Sequence, residues 1–433
     1  MEMQTKNLAA AFAGFSKLGR DERLEALVDM GALQPGDIEY LRKGGLKDSS
    51  YADNFIENAI GYLEIPLGVA TNFRIDGRDY VIPMAVEETS IIAAASKTAR
   101  WVRDCGNIKT ESRGAHIIGQ IQCANVANWG RFHSRLSAMK AHFITLSNRE
   151  PAASLVRRGG GVNDLQIRAV ERPDGGTMGV IHILLDPRDA MGANVVNQVC
   201  EFLRPHVEEC TGEKVTMCIL SNLVDTKLTY AEVRLTEIDP DLAQRIEEAS
   251  LFGEEDPYRA ATNNKGVLNG IDAIVVATGN DWRAVEAGVH AYAARDGRYR
   301  SITQWRVEGK HLVGKLEAPI VVGTVGGVTK LHPTASMCLR MLGVGSANDL
   351  SRIIAAVGLV QNLGALRALT TVGIIEGHMK LHARNLSLGA GASIEEMPLL
   401  QQRLEEILRV QKRITHSNAV ELLQQMRSAG PVA

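Results

Sequence analysis

The sequence predicts a multidomain chain that combines α/β and α+β architecture, and three observations carry that reading. The chain has 433 residues, 45% of them hydrophobic, which is enough for two or three domains at ~100–200 residues each. Strand-like alternation and helix-like periodicity interleave along most of its length. The middle, from about 114 to 223, carries strand and helix patterns between Gly-rich and polar ends, whereas residues 394–428 are polar and helical throughout. Aromatics make up only 5%, so the core is built from Ala, Val, Leu and Ile. Glycine clusters such as Gly159-Gly160-Gly161 and Gly326-Gly327 point to close backbone approaches.

Taken in order, residues 16–45 show helical periodicity broken at Gly31, Pro35-Gly36 and Gly44-Gly45, which predicts several short helices. Residues 53–64 read as a further helix edge before a turn at Pro66. From Asn72 to Val86, Phe73, Ile75, Tyr80 and Ile82 alternate about Asp76-Gly77, a hairpin signal. The second strand runs into Glu87-Glu88-Thr89-Ser90, and an Ala-rich helix follows from Ile91 to Val102 with Thr89 or Ser90 as its N-cap. Residues 115–123, 178–186 and 215–220 read as strands. Met191 to Cys210 is a helix with Val195, Val196, Val199, Phe202, Leu203 and Val207 on one face and Pro205 kinking it. The nearly continuous apolar run 271–277 predicts a buried strand, broken at Thr278-Gly279-Asn280-Asp281 and followed by a helix from Trp282 to Ala294. Residues 318–328 are apolar and Gly-rich, and 349–380 predict one long helix. The tail joins through Leu386-Ser387-Leu388-Gly389-Ala390-Gly391, and no internal repeat is present.

The formal net charge is −2 and no run of Lys or Arg occurs, so nucleic acid is not an expected partner. Six scattered cysteines without a CxxC fit free thiols in a reducing compartment better than disulfides or zinc. The apolar run from Leu8 to Phe15 makes a poor signal peptide, and no stretch reaches the ~18 uninterrupted apolar residues of a membrane helix. The chain reads as soluble and cytoplasmic, with no membrane partner.

Asp186-Pro187-Arg188-Asp189-Ala190-Met191-Gly192-Ala193-Asn194 lies between a strand and a helix N-terminus, where free N–H groups and the helix dipole favour an anion such as a pyrophosphate. The GxGxxG of a Rossmann unit is missing. Taken alone, the segment reads as an Asp189 N-cap with a Gly turn. Other single residues are equally bland alone: Glu88 as a first-turn glutamate, Asp281 as an N-cap, Lys265 as a solvated turn lysine. His378 and His382 stand at i, i+4, but no HExxH accompanies them, and no metal is expected.

Together and in order, these segments resemble the motifs of the 3-hydroxy-3-methylglutaryl-coenzyme A (HMG-CoA) reductase family. Asp189-Ala190-Met191-Gly192-Ala193-Asn194 resembles its cofactor signature, and Glu57-Asn58-Ala59-Ile60-Gly61 its dimer motif. Pro83 to Glu88 resembles the segment of the catalytic glutamate, and Asp256 to Gly266 that of the lysine. Ala277 to Arg283 matches the aspartate segment, Val325-Gly326-Gly327-Val328-Thr329 a Gly-rich signature, and Gly377 to His382 the histidine segment. The wording Asp256-Pro257-Tyr258-Arg259-Ala260-Ala261-Thr262 favours the soluble bacterial class II.

The resemblance implies a four-electron reduction of HMG-CoA to mevalonate and CoA with two NADH or NADPH, within mevalonate and isoprenoid metabolism. It implies Lys265 as oxyanion stabiliser, Glu88 as proton donor, Asp281 tuning both, and His378 protonating the leaving thiolate. Ser90, Arg259, Thr262 and Asn269 are the implied substrate residues, joined by Asn222 and Gln361. Asp189, Met191, Gly192 and Asn194 are the implied cofactor residues. Arg149 and Glu150 flank the adenosine, where an acid selects NADH and a cation NADPH; the sequence leaves both open. The implied architecture is a large α/β substrate and dimerisation domain from 1–113 and 224–376, a small inserted non-Rossmann cofactor domain at 114–223, and a small helical flap at 377–433. The implied assembly is a homodimer or a trimer of dimers. A CoA-binding regulator without activity is the alternative, and it conflicts with the presence of all four catalytic residue types.

Overall fold

The protein was studied as a computed structural model, and the structure describes residues 8–371, 383–411 and 413–428. It is a mixed α/β multidomain fold with two sheets. The six-stranded sheet runs β2-β1-β3-β8-β10-β9. Its strands are β1 (Leu67–Ile75), β2 (Arg78–Ala85), β3 (Gly106–Gly114), β8 (Lys227–Leu235), β9 (Thr303–Glu308) and β10 (His311–Ala318). Its ladders are antiparallel except where β1 meets β3. The predicted hairpin is β1–β2, closed at Asp76-Gly77, both in the left-handed region.

The second sheet runs β5-β6-β4-β7, all antiparallel, from β4 (Ile117–Cys123), β5 (Gly161–Glu171), β6 (Thr177–Asp186) and β7 (Met217–Ser221). Alternate residues Ile117, Ile121, Ile181, Ile183 and Leu185 pack with Phe132, Leu136 and Phe143 of the Trp129–Arg149 helix and Val196, Val199 and Leu203 of the Ala193–Thr211 helix. The latter continues through Pro205 without ending. The chain leaves the large sheet at Gly114 and rejoins it at Lys227, and these two residues are register partners.

Three sequence expectations are corrected. Residues 271–277 are not a strand but the end of a helix, Pro257–Ala277. Leu268, Gly270, Ile271, Ala273, Ile274, Val275 and Ala277 are all buried there, and a helix enclosed on nearly every side loses the period that marks an amphipathic one. Of residues 53–64 only Asp53 and Asn54 are helical, as the end of a 3-10 segment over Ser49–Asn54, and Asn58 at φ 55° ends any continuation. Of the helix expected over 349–380, the described part is Ala347–Leu369, where Thr370 and Thr371 hydroxyls donate back to Leu366 and Arg367 carbonyls; residues 372–380 lie outside the described residues.

That helix is long and apolar enough to cross a membrane, yet 67% of its most apolar stretch is buried inside the protein, as befits the central core helix. The Met397–Gln411 and His416–Ser428 helices have a small core of their own around Leu400, Leu404 and Leu423.

Candidate active site

The Pro257–Ala277 helix carries the site. Pro257 occupies its first turn, and the Asp256 carboxylate accepts from Arg259 N at 2.7 Å. Arg259, Thr262, Lys265 and Asn269 recur every three or four residues and so share one face. The opposite face is buried and pinned by polar side chains. Asn263 donates to Ser301 Oγ at 2.7 Å and accepts from Asn362 at 2.8 Å; Asn264 donates to the Arg300 carbonyl at 2.9 Å and to Tyr299 at 3.0 Å. Trp305 Nε1 completes the network by donating to Asn362 at 2.8 Å. Sequence reading passed over Asn263 and Asn264. Two adjacent asparagines mid-helix, where they are intrinsically unfavourable, are the signal that marks them.

Lys265 Nζ donates to Glu88 Oε2 at 2.9 Å, joining segments 177 residues apart. Both side chains remain partly open to solvent. Asp281 departs from expectation: no ion pair joins it to Lys265 or Glu88 among the described residues. Its carboxylate caps the Trp282–Ala293 helix by accepting from Ala284 N at 3.1 Å, and Arg283 Nε stands 3.7 Å away. The cap bond and the neighbouring guanidinium satisfy it locally.

Ser90 is not a side-chain cap. Its backbone is left-handed at φ 77° and its hydroxyl makes no cap bond. The Oγ is buried without a partner, as is Gln361 Oε1. Strain and an unsatisfied hydroxyl two residues from Glu88 are both costs that a ligand repays. Arg259 has its guanidinium pKa depressed by burial, with no charged neighbour offsetting it. A half-buried guanidinium in that state is suited to a carboxylate. Asn222 is exposed and, with Met191, lines a small cavity that also touches Ala284 on the helix headed by Asp281.

On the cofactor side, the Ala193–Thr211 helix starts at Gly192 with φ 93°, no side-chain cap and no acid in its first turn. Its leading N–H groups are therefore available to an anion, with Asn194 exposed beside them. Gly192 has no room for a side chain, since a Cβ would lie 2.4 Å from Ile117 Cδ1. Asp189 does not cap this helix. Its Oδ1 accepts from Ala347 N at 3.0 Å, and its carbonyl from Thr324 N at 2.9 Å. Asp189 thus ties the loop to the 319–327 segment and to the core helix, and Gly323 makes the approach possible. A Cβ on Gly323 would sit 2.7 Å from Met191 N. Gly323→Ala is expected to push the loop away, lowering stability by ~1–3 kcal/mol and weakening nucleotide binding; thermal unfolding and a nucleotide titration check both.

A cleft of about 620 Å³ is lined by Arg158, Ala190, Thr324, Gly326 and Arg340 among others. Arg149 and Glu150 pair with each other at 2.9 Å on the surface. His378 and His382 lie outside the described residues.

An inserted antiparallel α+β module and a lysine–carboxylate pair on a core helix are the two features that the fold and the site present together. The family model for hydroxymethylglutaryl-coenzyme A reductase matches residues 19–383, and the chain belongs to that family. Its members are NAD(P)H-dependent oxidoreductases. The chain is 42% identical to the 3-hydroxy-3-methylglutaryl-coenzyme A reductase of Archaeoglobus fulgidus over 97% of this chain and 96% of that one. It is 33% identical to a probable reductase of Borreliella burgdorferi over 77% of each. The reductase of Streptococcus pneumoniae superposes with a TM-score of 0.81 at 37% identity, covering 95% of this chain and 99% of that one. A class II structure from the same organism, bound to NADPH in open conformations, superposes at 0.79 with 37% identity, covering 83% and 99%.

Proposed function

We propose that this chain reduces HMG-CoA to mevalonate and CoA at the face of the Pro257–Ala277 helix. The observation that carries it is the Lys265–Glu88 contact at 2.9 Å, placed on the same face as the uncompensated Arg259 guanidinium. Two reduced nicotinamides, bound in turn, would each supply one hydride of the four-electron reduction. Lys265 holds the negative charge that each reduction step leaves on the carbonyl oxygen, and Glu88 moves a proton to that oxygen. Asp281, heading the neighbouring helix, is the second carboxylate of the catalytic set. His378 protonates the departing CoA thiolate. Arg259 takes the substrate carboxylate, while Ser90, Thr262, Asn269, Asn222 and Gln361 offer hydrogen bonds to its remaining polar groups.

The uncapped start of the Ala193–Thr211 helix fits the pyrophosphate of the nucleotide, with Asp189, Met191, Gly192 and Asn194 shaping the loop. Arg149 and Glu150 neutralise one another, whereas Arg158 borders the open cleft; that supports a nucleotide bearing a 2′-phosphate. Residues 114–223 serve as the cofactor domain, 1–113 and 224–376 as the substrate domain, and 377–433 as a closing flap. Six free cysteines support a reducing, cytoplasmic setting.

The test is consumption of nucleotide on adding HMG-CoA, run with NADH and with NADPH: two are expected per acyl group, with NADPH preferred. No consumption with either sinks the reading and favours a CoA-binding regulator.

The assembly is a homodimer. Ile60 and Leu63 are 103% and 92% exposed, flanked by Ile56 and Ile65, in the segment that resembles the dimer motif. Apolar patches of this kind seek a partner. Ile60→Asp with Leu63→Asp is expected to give a monomer by light scattering; an unchanged mass would remove this segment from the interface.

A further inference from the structure

The face of the Pro257–Ala277 helix that presents Lys265 is set by what grips its other side, and that grip has a direction. The indole N–H of Trp305 can only donate. It donates to Asn362 Oδ1 at 2.8 Å, which commits the other end of that amide, its NH2 group, to Asn263 Oδ1 at 2.8 Å. Asn263 then has its own NH2 to offer, and donates it to Ser301 Oγ at 2.7 Å. Ser301 passes its hydrogen to the Thr303 carbonyl at 2.8 Å. Turning either amide over would set donor against donor. Trp305, Asn362 and Asn263 are 0%, 1% and 3% exposed, so water does not replace a missing link.

The start of the chain is itself fixed. Trp305 N donates to Ser250 Oγ at 2.9 Å, and Ser250 donates to the buried Glu254 at 2.9 Å. Gly314, the register partner of Trp305, leaves a seat for the ring; a Cβ there would lie 2.3 Å from the indole. The hydrogen bonds therefore run from β9, through the core helix Ala347–Leu369, to the helix of Lys265. A buried network of this kind adds little to stability over apolar packing, but it is satisfied in one geometry alone.

We infer that Asn362 is a positioning residue: taking its direction from Trp305, it sets the rotation of the Pro257–Ala277 helix and thereby the aim of the Lys265 ammonium. Its catalytic meaning rests on the function proposed above; the one-way chain of hydrogen bonds does not. Asn263 precedes Lys265 by two residues, ~200° around the helix, so a slip on the gripped side swings the ammonium. The backbone of Arg259 is held separately, by the Asp256 cap at 2.7 Å. Substrate binding is therefore expected to survive a loosened grip while the reaction slows.

Two variants of the full chain test this. Asn362→Leu removes both bonds. Its single-turnover oxidation of nucleotide by HMG-CoA is expected to fall about tenfold or more, with the Kd for HMG-CoA within about twofold of wild type. Amide hydrogen exchange over residues 261–269 is expected to quicken in the ligand-free chain. Asn362→Asp keeps the shape. Ionised, the introduced carboxylate only accepts, so it keeps Trp305 and loses Asn263; protonated, it serves both. Its rate relative to wild type at the same pH is expected to be close to one in acid and to fall about tenfold as the carboxyl, followed by its infrared band, ionises. A purely structural role would lower the melting temperature and leave the rate per folded molecule, and this pH dependence, unchanged. Asn362→Leu with a rate within about twofold of wild type and unaltered exchange would overturn the assignment. Where Asn362→Leu does not fold, a relative rate for Asn362→Asp that stays flat through ionisation of its carboxyl does the same. Failure of the reductase reading shows separately, as wild type that consumes no nucleotide while the exchange differences persist.

Discussion

Lys265→Ala is expected to lower kcat on the order of 10³-fold, for HMG-CoA and for free mevaldehyde alike. Each reduction step converts a neutral carbonyl into an oxygen bearing charge, and both steps need a cation at the same place. The ammonium is aimed by a helix whose far side is locked by Asn263 and Asn264, so its position costs no reorganisation during reaction. Glu88 sits 2.9 Å from it; removing Lys265 also leaves this carboxyl without the partner that orients it. Arginine does not restore the function, because its planar fork is bulkier and carries its charge differently. Steady-state rates with both substrates provide the check. Retention of more than a few per cent of activity would take Lys265 out of the oxyanion role.

His378→Gln is expected to separate the two steps. HMG-CoA reduction falls by roughly 10²–10⁴-fold, the usual worth of a positioned acid, while mevaldehyde reduction survives. The reason is the leaving group. A CoA thiolate, with a reference pKa like that of cysteine at ~8.5, accepts a proton readily from an imidazolium near ~6.5. Mevaldehyde releases no thiolate and needs no such acid. Equal losses on both substrates would assign His378 to binding or to flap closure instead.

Much of the fold is legible because the relevant segments are half-buried. The β1–β2 hairpin shows itself by alternation about Asp76-Gly77, and the Ala193–Thr211 helix by one apolar face. Legibility fails where burial is complete: the second half of the Pro257–Ala277 helix is apolar nearly all round and imitates a strand. The site is legible only as a set. Lys265, Glu88 and Asp281 each have an ordinary local reading, and for Asp281 the structure keeps that reading as a helix cap. Asp189 illustrates the complementary limit. Its side chain serves the Ala347–Leu369 helix, 158 residues away in sequence, and no local pattern announces a partner that distant.

The register pairing of Gly114 with Lys227 has a consequence for ancestry and for engineering. Everything between those residues enters and departs through one doorway, two strands wide, so the guest imposes no span on its host. An insert of different size can be exchanged there provided it keeps the Asp189 bonds to Ala347 and Thr324. With the insert as the proposed cofactor domain, a chimaera spliced at that doorway is expected to inherit its chemistry from one parent and its coenzyme choice from the other.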